Sequence, residues 1–295
     1  MILIHHAAHR GYHGFPPGSL SGLRYCLEAG ARVVELDITP LAHGDFALLH
    51  DEQLEEETDG QGPVVELDAA QVTRLHYRLG GIVTDEAVGL LSQAVALAAR
   101  YPHLWELQLD LKPYAPLTDT VLGELIRLVS PLRERVRVSS PADWALRRLH
   151  ALAPELNLGF DPMFYLDLER SPDDREVAPP FRLSAYGYLD DHPLATRVWG
   201  SPADYLAARA EALWVQAPFP LWYIRGVLLA RALDDGFDWI AWLRERGAGV
   251  AAWTLDPDQP HHVALAQRLA ALGVERITTN DPPGLAAALG DEVTF

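Results

Sequence analysis

Two stretches decide the fold: Val33–Val34–Glu35–Leu36–Asp37–Ile38 and Glu106–Leu107–Gln108–Leu109–Asp110–Leu111–Lys112. Side chains alternate across a β-strand, so Glu35 and Asp37 share one side while Leu36 points to the other. The same rule sets Gln108, Asp110 and Lys112 opposite Leu107, Leu109 and Leu111. Both faces of each strand therefore have a job, one apolar and one chemical.

Short apolar or alternating runs recur on either side of these two. Strands are predicted at about Ile2–Ala8, Val33–Ile38, Glu106–Leu111, Arg135–Ser139, Leu156–Phe160, Leu213–Gln216, Val250–Leu255 and Arg276–Thr279. Helical patterns lie between most of them, at Leu20–Ala29, Leu90–Arg100, Thr118–Val129, Ala142–Leu152, Pro202–Ala212, Arg225–Arg246 and His261–Leu272. Ser19 stands where an N-cap belongs, and Gly30, Gly247 and Gly273 stand where helices stop. Strands alternating with helices predict α/β architecture, specifically a single (β/α)8 TIM barrel over residues 1–295. Two connections exceed ordinary loops. Residues 51–86 are expected to form a small insertion after the second strand. Residues 161–212, after the fifth, include Phe164, Tyr165, Tyr186, Tyr188 and Trp199. Both leave the ends of strands that carry catalysis in this architecture.

In a barrel the helix-covered outer surface must be apolar, so the polar side chains of the two opening strands point inward. An unpaired buried carboxylate costs several kcal/mol, roughly. A divalent metal held by Glu35, Asp37 and Asp110 offsets that cost, and three oxygen donors favour Mg2+ or Ca2+ over zinc. His9, followed by Arg10 and Gly11, ends the first strand, and His50 precedes Asp51. Two histidines can divide the base and acid roles near neutral pH. Arg10 and Lys112 supply positive charge for a phosphoryl group. Taken singly each motif is weak. A Glu-x-Asp strand alone is more often structural than metal-binding, and the ordered combination is what carries the reading of in-line cleavage at phosphorus. His5, His6, His13 and His43 read as structural or exposed, and Asp51 and Asp256 as supporting or turn residues.

The 295 residues are 49% hydrophobic with a formal net charge of −17. Such a field repels nucleic acid and anionic membrane surfaces, and no cluster of Lys and Arg offsets it. The one cysteine, Cys26, lies in an apolar helical pattern and reads as a buried hydrophobe. No stretch approaches a membrane span and no charged n-region precedes the apolar start, so a cytoplasmic protein without stable membrane insertion is expected.

In order along the chain, the motifs resemble those of the glycerophosphodiester phosphodiesterase family. His9–Arg10–Gly11 with Pro17 resembles its H-R-G…P-E-N opening, and Glu35–Leu36–Asp37 its E-L-D. His50–Asp51, Leu109–Asp110–Leu111–Lys112 (for I-E-I-K), Ala252–Trp253–Thr254–Leu255–Asp256 (for V-W-T-V-N) and Thr279–Asn280–Asp281–Pro282 (for T-D-x-P) follow in order. The resemblance implies a barrel with an insertion after the second strand. It also implies hydrolysis of a small-molecule glycerophosphodiester to sn-glycerol 3-phosphate and an alcohol. By position, it implies metal at Glu35, Asp37 and Asp110, acid–base roles for His9 and His50, phosphate contacts from Arg10 and Lys112, and packing of Trp253 on the substrate. Three departures stand out: Pro17–Gly18–Ser19 replaces P-E-N, Asp110 replaces the usual Glu, and the segment from Asp161 to Gly249 matches poorly. A lysophospholipid or another phosphodiester, or a non-catalytic binding barrel, are the competing readings. A histidine-rich amidohydrolase lacks the later strand histidines it needs.

Overall fold

A computed structural model describes residues 1–11, 14–112, 115–168, 200–290 and 293–295. His13, Tyr186, Tyr188 and Trp199 lie outside the described residues. Eight parallel strands close a barrel: β1 (Ile2–His5), β2 (Val33–Pro40), β6 (Glu106–Leu111), β7 (Val136–Ser140), β8 (Asn157–Phe160), β9 (Leu221–Arg225), β10 (Gly249–Trp253) and β11 (Arg276–Thr279). β1 pairs with β11 along its whole length, and the pair His5–Val34 joins it to β2 and completes the ring. Between β2 and β6 come β3 (Phe46–Ala47), which pairs antiparallel with β2, and the hairpin of β4 (His76–Leu79) and β5 (Ile82–Ala87).

The alternation in the opening strands has the expected result. Leu36, Leu107, Leu109 and Leu111 are fully buried in the layer between barrel and helices, together with Leu23, Leu27, Leu122 and Leu146 from surrounding helices. Ile4, Val33, Leu221, Tyr223 and Ala251 fill the barrel's interior as a separate cluster. At the N-terminal end of the strands the interior is shut by ions. Glu106 of β6 meets Arg276 of β11 at 2.5 Å and Arg137 of β7 at 3.1 Å. Trapping charges here is tolerable because each carboxylate oxygen faces its own guanidinium.

Several elements differ from the sequence reading. Leu213–Gln216 is not a strand but the end of a helix, Pro202–Gln216. Leu206, Arg209, Ala210 and Leu213 form its buried stripe, and Ser201 and Asp204 close a capping box at its start. The sixth barrel strand is instead Leu221–Arg225, after the Pro218–Phe219–Pro220 turn. The predicted Arg225–Arg246 helix is two, Gly226–Asp234 and Trp239–Arg244, broken where Gly236 takes φ +95°. A last helix, Pro282–Leu289, was not predicted.

The insertion has its own small core of Leu41, Ala47, Leu49, Leu54, Val64, Val72, Tyr77, Val88 and Leu90. Tyr77 donates its hydroxyl to the Leu48 carbonyl at 2.8 Å and ties the hairpin to the strand that precedes His50. No helix among the described residues is long and apolar enough to cross a membrane.

Candidate active site

The polar faces of β2 and β6 meet inside the barrel toward its C-terminal mouth, the face that carries catalysis in this architecture. Asp37 and Asp110 are register partners on the two strands. The Lys112 ammonium lies between them, 2.9 Å from Asp37 Oδ1 and 2.7 Å from Asp110 Oδ2. Burial opposes the charge of Lys112, but Asp110 and Asp37 outweigh it and hold its pKa well above the ordinary lysine value. Asp110 also accepts from Ser139 Oγ at 2.7 Å, and Ser139 accepts from Gln108. Glu35 accepts the Ala7 backbone N–H at 2.7 Å. Burial first, then the neighbouring Asp37 and Asp110, push its carboxyl well above the usual range. Asp161, which follows β8, is raised in the same way, by burial above all.

No group of three or more His, Cys, Asp or Glu side chains among the described residues is set to hold a metal. Lys112 takes the position between two of the expected ligands. The chemistry of the donor set nonetheless fits a hard divalent cation. Glu35, Asp37 and Asp110 offer three carboxylates against one ammonium, an oxygen-donor set of the kind such cations take.

His6 and His9 line different cavities. β1 stops at His5, and His6–Ala8 form a tight turn in which Ala7 and Ala8 take φ of +46° and +53°. Alanine rarely adopts these angles. The turn delivers the Ala7 N–H to Glu35 and redirects the chain. As a result His6, not His9, shares a cavity of about 220 Å3 with Asp37, His50, Asp51, Glu57 and Gly18. Continuing the strand to Ala8 hid this, because it turned His6 away from the interior. His9 lines a neighbouring cavity of about 350 Å3 with Phe15, Asp256, Asp258, Asn280 and Asp281. Arg10 turns to the outer side of β1, where Nη1 donates to His5 Nε2 at 3.2 Å and the guanidinium lies over the Phe295 ring. It is not among the residues around Lys112 as the sequence suggested.

Each histidine of the 220 Å3 cavity is oriented through Nδ1. His50 donates to Asp51 at 2.9 Å, and Glu57 accepts both the His50 and Asp51 backbone N–H groups, at 2.7 and 2.8 Å. Glu57 comes from the insertion, which explains what that excursion contributes. His6 Nδ1 lies 2.8 Å from Asn280 Oδ1. Trp253 ends β10 and packs on the interior cluster. Gly18, where the resembling motif has Glu, has φ +69°, and a Cβ there meets nothing nearer than the Leu48 carbonyl at 3.7 Å. Ser19 caps the helix Leu20–Glu28 instead of facing the site.

Comparison with known proteins bears on what this mouth does. The Glycerophosphoryl diester phosphodiesterase family matches residues 9–160, more than half of the chain. The chain belongs to that family. Glycerophosphodiester phosphodiesterase 1 of Mus musculus is 33% identical over 123 residues, 40% of this chain and 37% of that protein. Glycerophosphodiester phosphodiesterase of Bacillus altitudinis is 26% identical over 172 residues, 56% of this chain and 68% of that protein. The match thus spans little more than a third of the mouse relative. Among solved structures, a putative glycerophosphoryl diester phosphodiesterase from Silicibacter pomeroyi superposes with a TM-score of 0.67 at 20% identity, covering 98% of this chain and 93% of that one. A phosphodiesterase from Oleispira antarctica in complex with the product sn-glycerol-3-phosphate gives 0.63 at 20% identity, covering 98% and 96%. At these identities the structural likeness establishes the family's barrel and no more. The family match begins at His9, three residues after His6.

Proposed function

We propose that this chain hydrolyses a glycerophosphodiester to sn-glycerol 3-phosphate and an alcohol, as one barrel domain whose 51–86 insertion supports His50. The observation that carries the reading is the convergence of His6, His50 and Asp37 on one cavity beside Lys112. His6 and His50 serve as the proton-transfer pair. With Nδ1 of each ring engaged, by Asn280 and Asp51, Nε2 is the atom that takes the nucleophile's proton or gives one to the leaving alkoxide. Lys112 offers its ammonium to the phosphoryl oxygens, whose negative charge grows as the bond to the alcohol breaks. Glu35, Asp37 and Asp110 would hold a divalent cation, Mg2+ or Ca2+, which would supply Lewis-acid polarisation of the phosphoryl group. The neighbouring cavity of about 350 Å3, which adjoins His6 through Asn280, receives the alcohol. Trp253 packs on the glycerol side. We place the reaction in the cytoplasm, in keeping with a single, buried cysteine.

The test is hydrolysis of glycerophosphocholine and glycerophosphoethanolamine with Mg2+ or Ca2+, with chelator as control. Native protein is compared with His6→Ala, His50→Ala and His9→Ala. Loss of about 100-fold or more is expected for the first two and little change for the third. Activity lost in His9→Ala but retained in His6→Ala returns the acid–base role to His9. Chelator-insensitive turnover rejects the cation.

A further inference from the structure

Asp256 and Asn280 end two neighbouring interior segments, after β10 and β11, and they are bonded to each other twice. Asp256 Oδ1 accepts the Asn280 backbone N–H at 2.7 Å and the Thr279 hydroxyl at 2.9 Å. Asp256 Oδ2 accepts Asn280 Nδ2 at 2.8 Å. Asp256 is itself fixed, since its own N–H donates to His262 Nδ1 at 3.1 Å. A carboxylate only accepts, so the Asn280 amide has one usable orientation, with its NH2 toward Asp256 and its oxygen toward His6. That oxygen in turn only accepts. His6 Nδ1, 2.8 Å away, must be the donor, and in the neutral ring the lone pair then sits on Nε2.

We infer that Asn280, oriented by Asp256, is the positioning residue of His6, holding its ring in the Nδ1–H tautomer with Nε2 unprotonated toward the reacting group. This rests on the acid–base reading of His6 given above.

Three variants and one spectrum test the assignment. Asn280→Ala is expected to lower kcat about 100-fold, since it removes the orientation of the His6 ring. Asn280→Asp sets two carboxylates against each other and is expected to be impaired, while D256N/N280D restores the pairing and brings kcat back to within about tenfold of native. The 15N ring shifts of His6 are expected to report Nδ1–H in the native protein and in the double variant, and a mixture of tautomers in Asn280→Ala. Native kcat in Asn280→Ala, an unchanged tautomer in that variant, or a double variant no better than Asn280→Asp overturns the inference. His6→Gln separates it from the reading beneath it. Full activity in His6→Gln overturns the acid–base role itself, whereas an inactive His6→Gln beside a fully active Asn280→Ala overturns the positioning role alone.

Discussion

The Lys112 ammonium lies 2.9 Å from the Asp37 carboxylate, and it makes a second contact with Asp110 on the adjacent strand. One cation thereby holds together the two strands whose polar faces build the site. Lys112→Met leaves both carboxylates buried beside Glu35 without it. The expected cost is about 3–5 kcal/mol. Thermal melts check this with chelator and with Ca2+. Because the added ion supplies the missing charge, Ca2+ should raise Tm more in the variant than in the native protein.

His50 presents the opposite balance. Its side chain is 51% exposed, and its backbone, not its ring, is what Glu57 anchors. His50→Ala should therefore leave Tm within about 1 °C while removing activity by about 100-fold or more. A parallel Glu57→Gln variant, which weakens the anchor, should lower activity and melt the insertion earlier. Hydrogen exchange across residues 51–86 reads that effect.

His5 is the buried neutral histidine. Burial first, and then the positive charge of Arg10, lower its pKa to about 4, against the partial opposition of its bond to the Val33 carbonyl. A base whose folded pKa is depressed stabilises the fold fully above the unfolded value, near 6.5, and loses that stabilisation as pH falls toward 4. Across this window the loss is about 3 kcal/mol. Urea unfolding at pH 7.5 and pH 4.5 should show it, and His5→Leu should flatten the slope.

Gly159 of β8 faces the Tyr223 ring on the adjacent β9, and a Cβ built there meets Tyr223 Cε2 at 2.4 Å. Tyr223 is 3% exposed and hemmed in by the interior cluster. Gly159→Ala should cost about 1–3 kcal/mol through overpacking. A Gly159→Ala/Tyr223→Leu double variant should recover most of it, as chemical denaturation will register.

How far the sequence discloses all this varies by residue. Glu35, Asp37, Asp110 and Lys112 were legible because alternation on a buried strand is a strict geometric rule, and charged side chains on the inward face are expensive enough to need a purpose. Leu213–Gln216 was misread because Leu, Trp and Val suit a strand locally, while the helix is decided by a cap at Ser201 twelve residues earlier and by packing. His6 was missed for a different reason. Two consecutive alanines with positive φ have no sequence signature, and they set His6 rather than His9 in the cavity with Asp37 and His50. The role of Glu57 and the bond between Asp256 and Asn280 depend on contacts between distant segments, which no local pattern encodes.

The ions of Glu106, Arg137 and Arg276 across the base of the barrel have a kinetic corollary. Together with the interior cluster of Ile4, Val33, Leu221, Tyr223 and Ala251 above them, they close the strands' N-terminal end. Under the proposed hydrolysis, both products would leave through the C-terminal mouth by which the diester enters, so either product in excess would compete with substrate for that mouth.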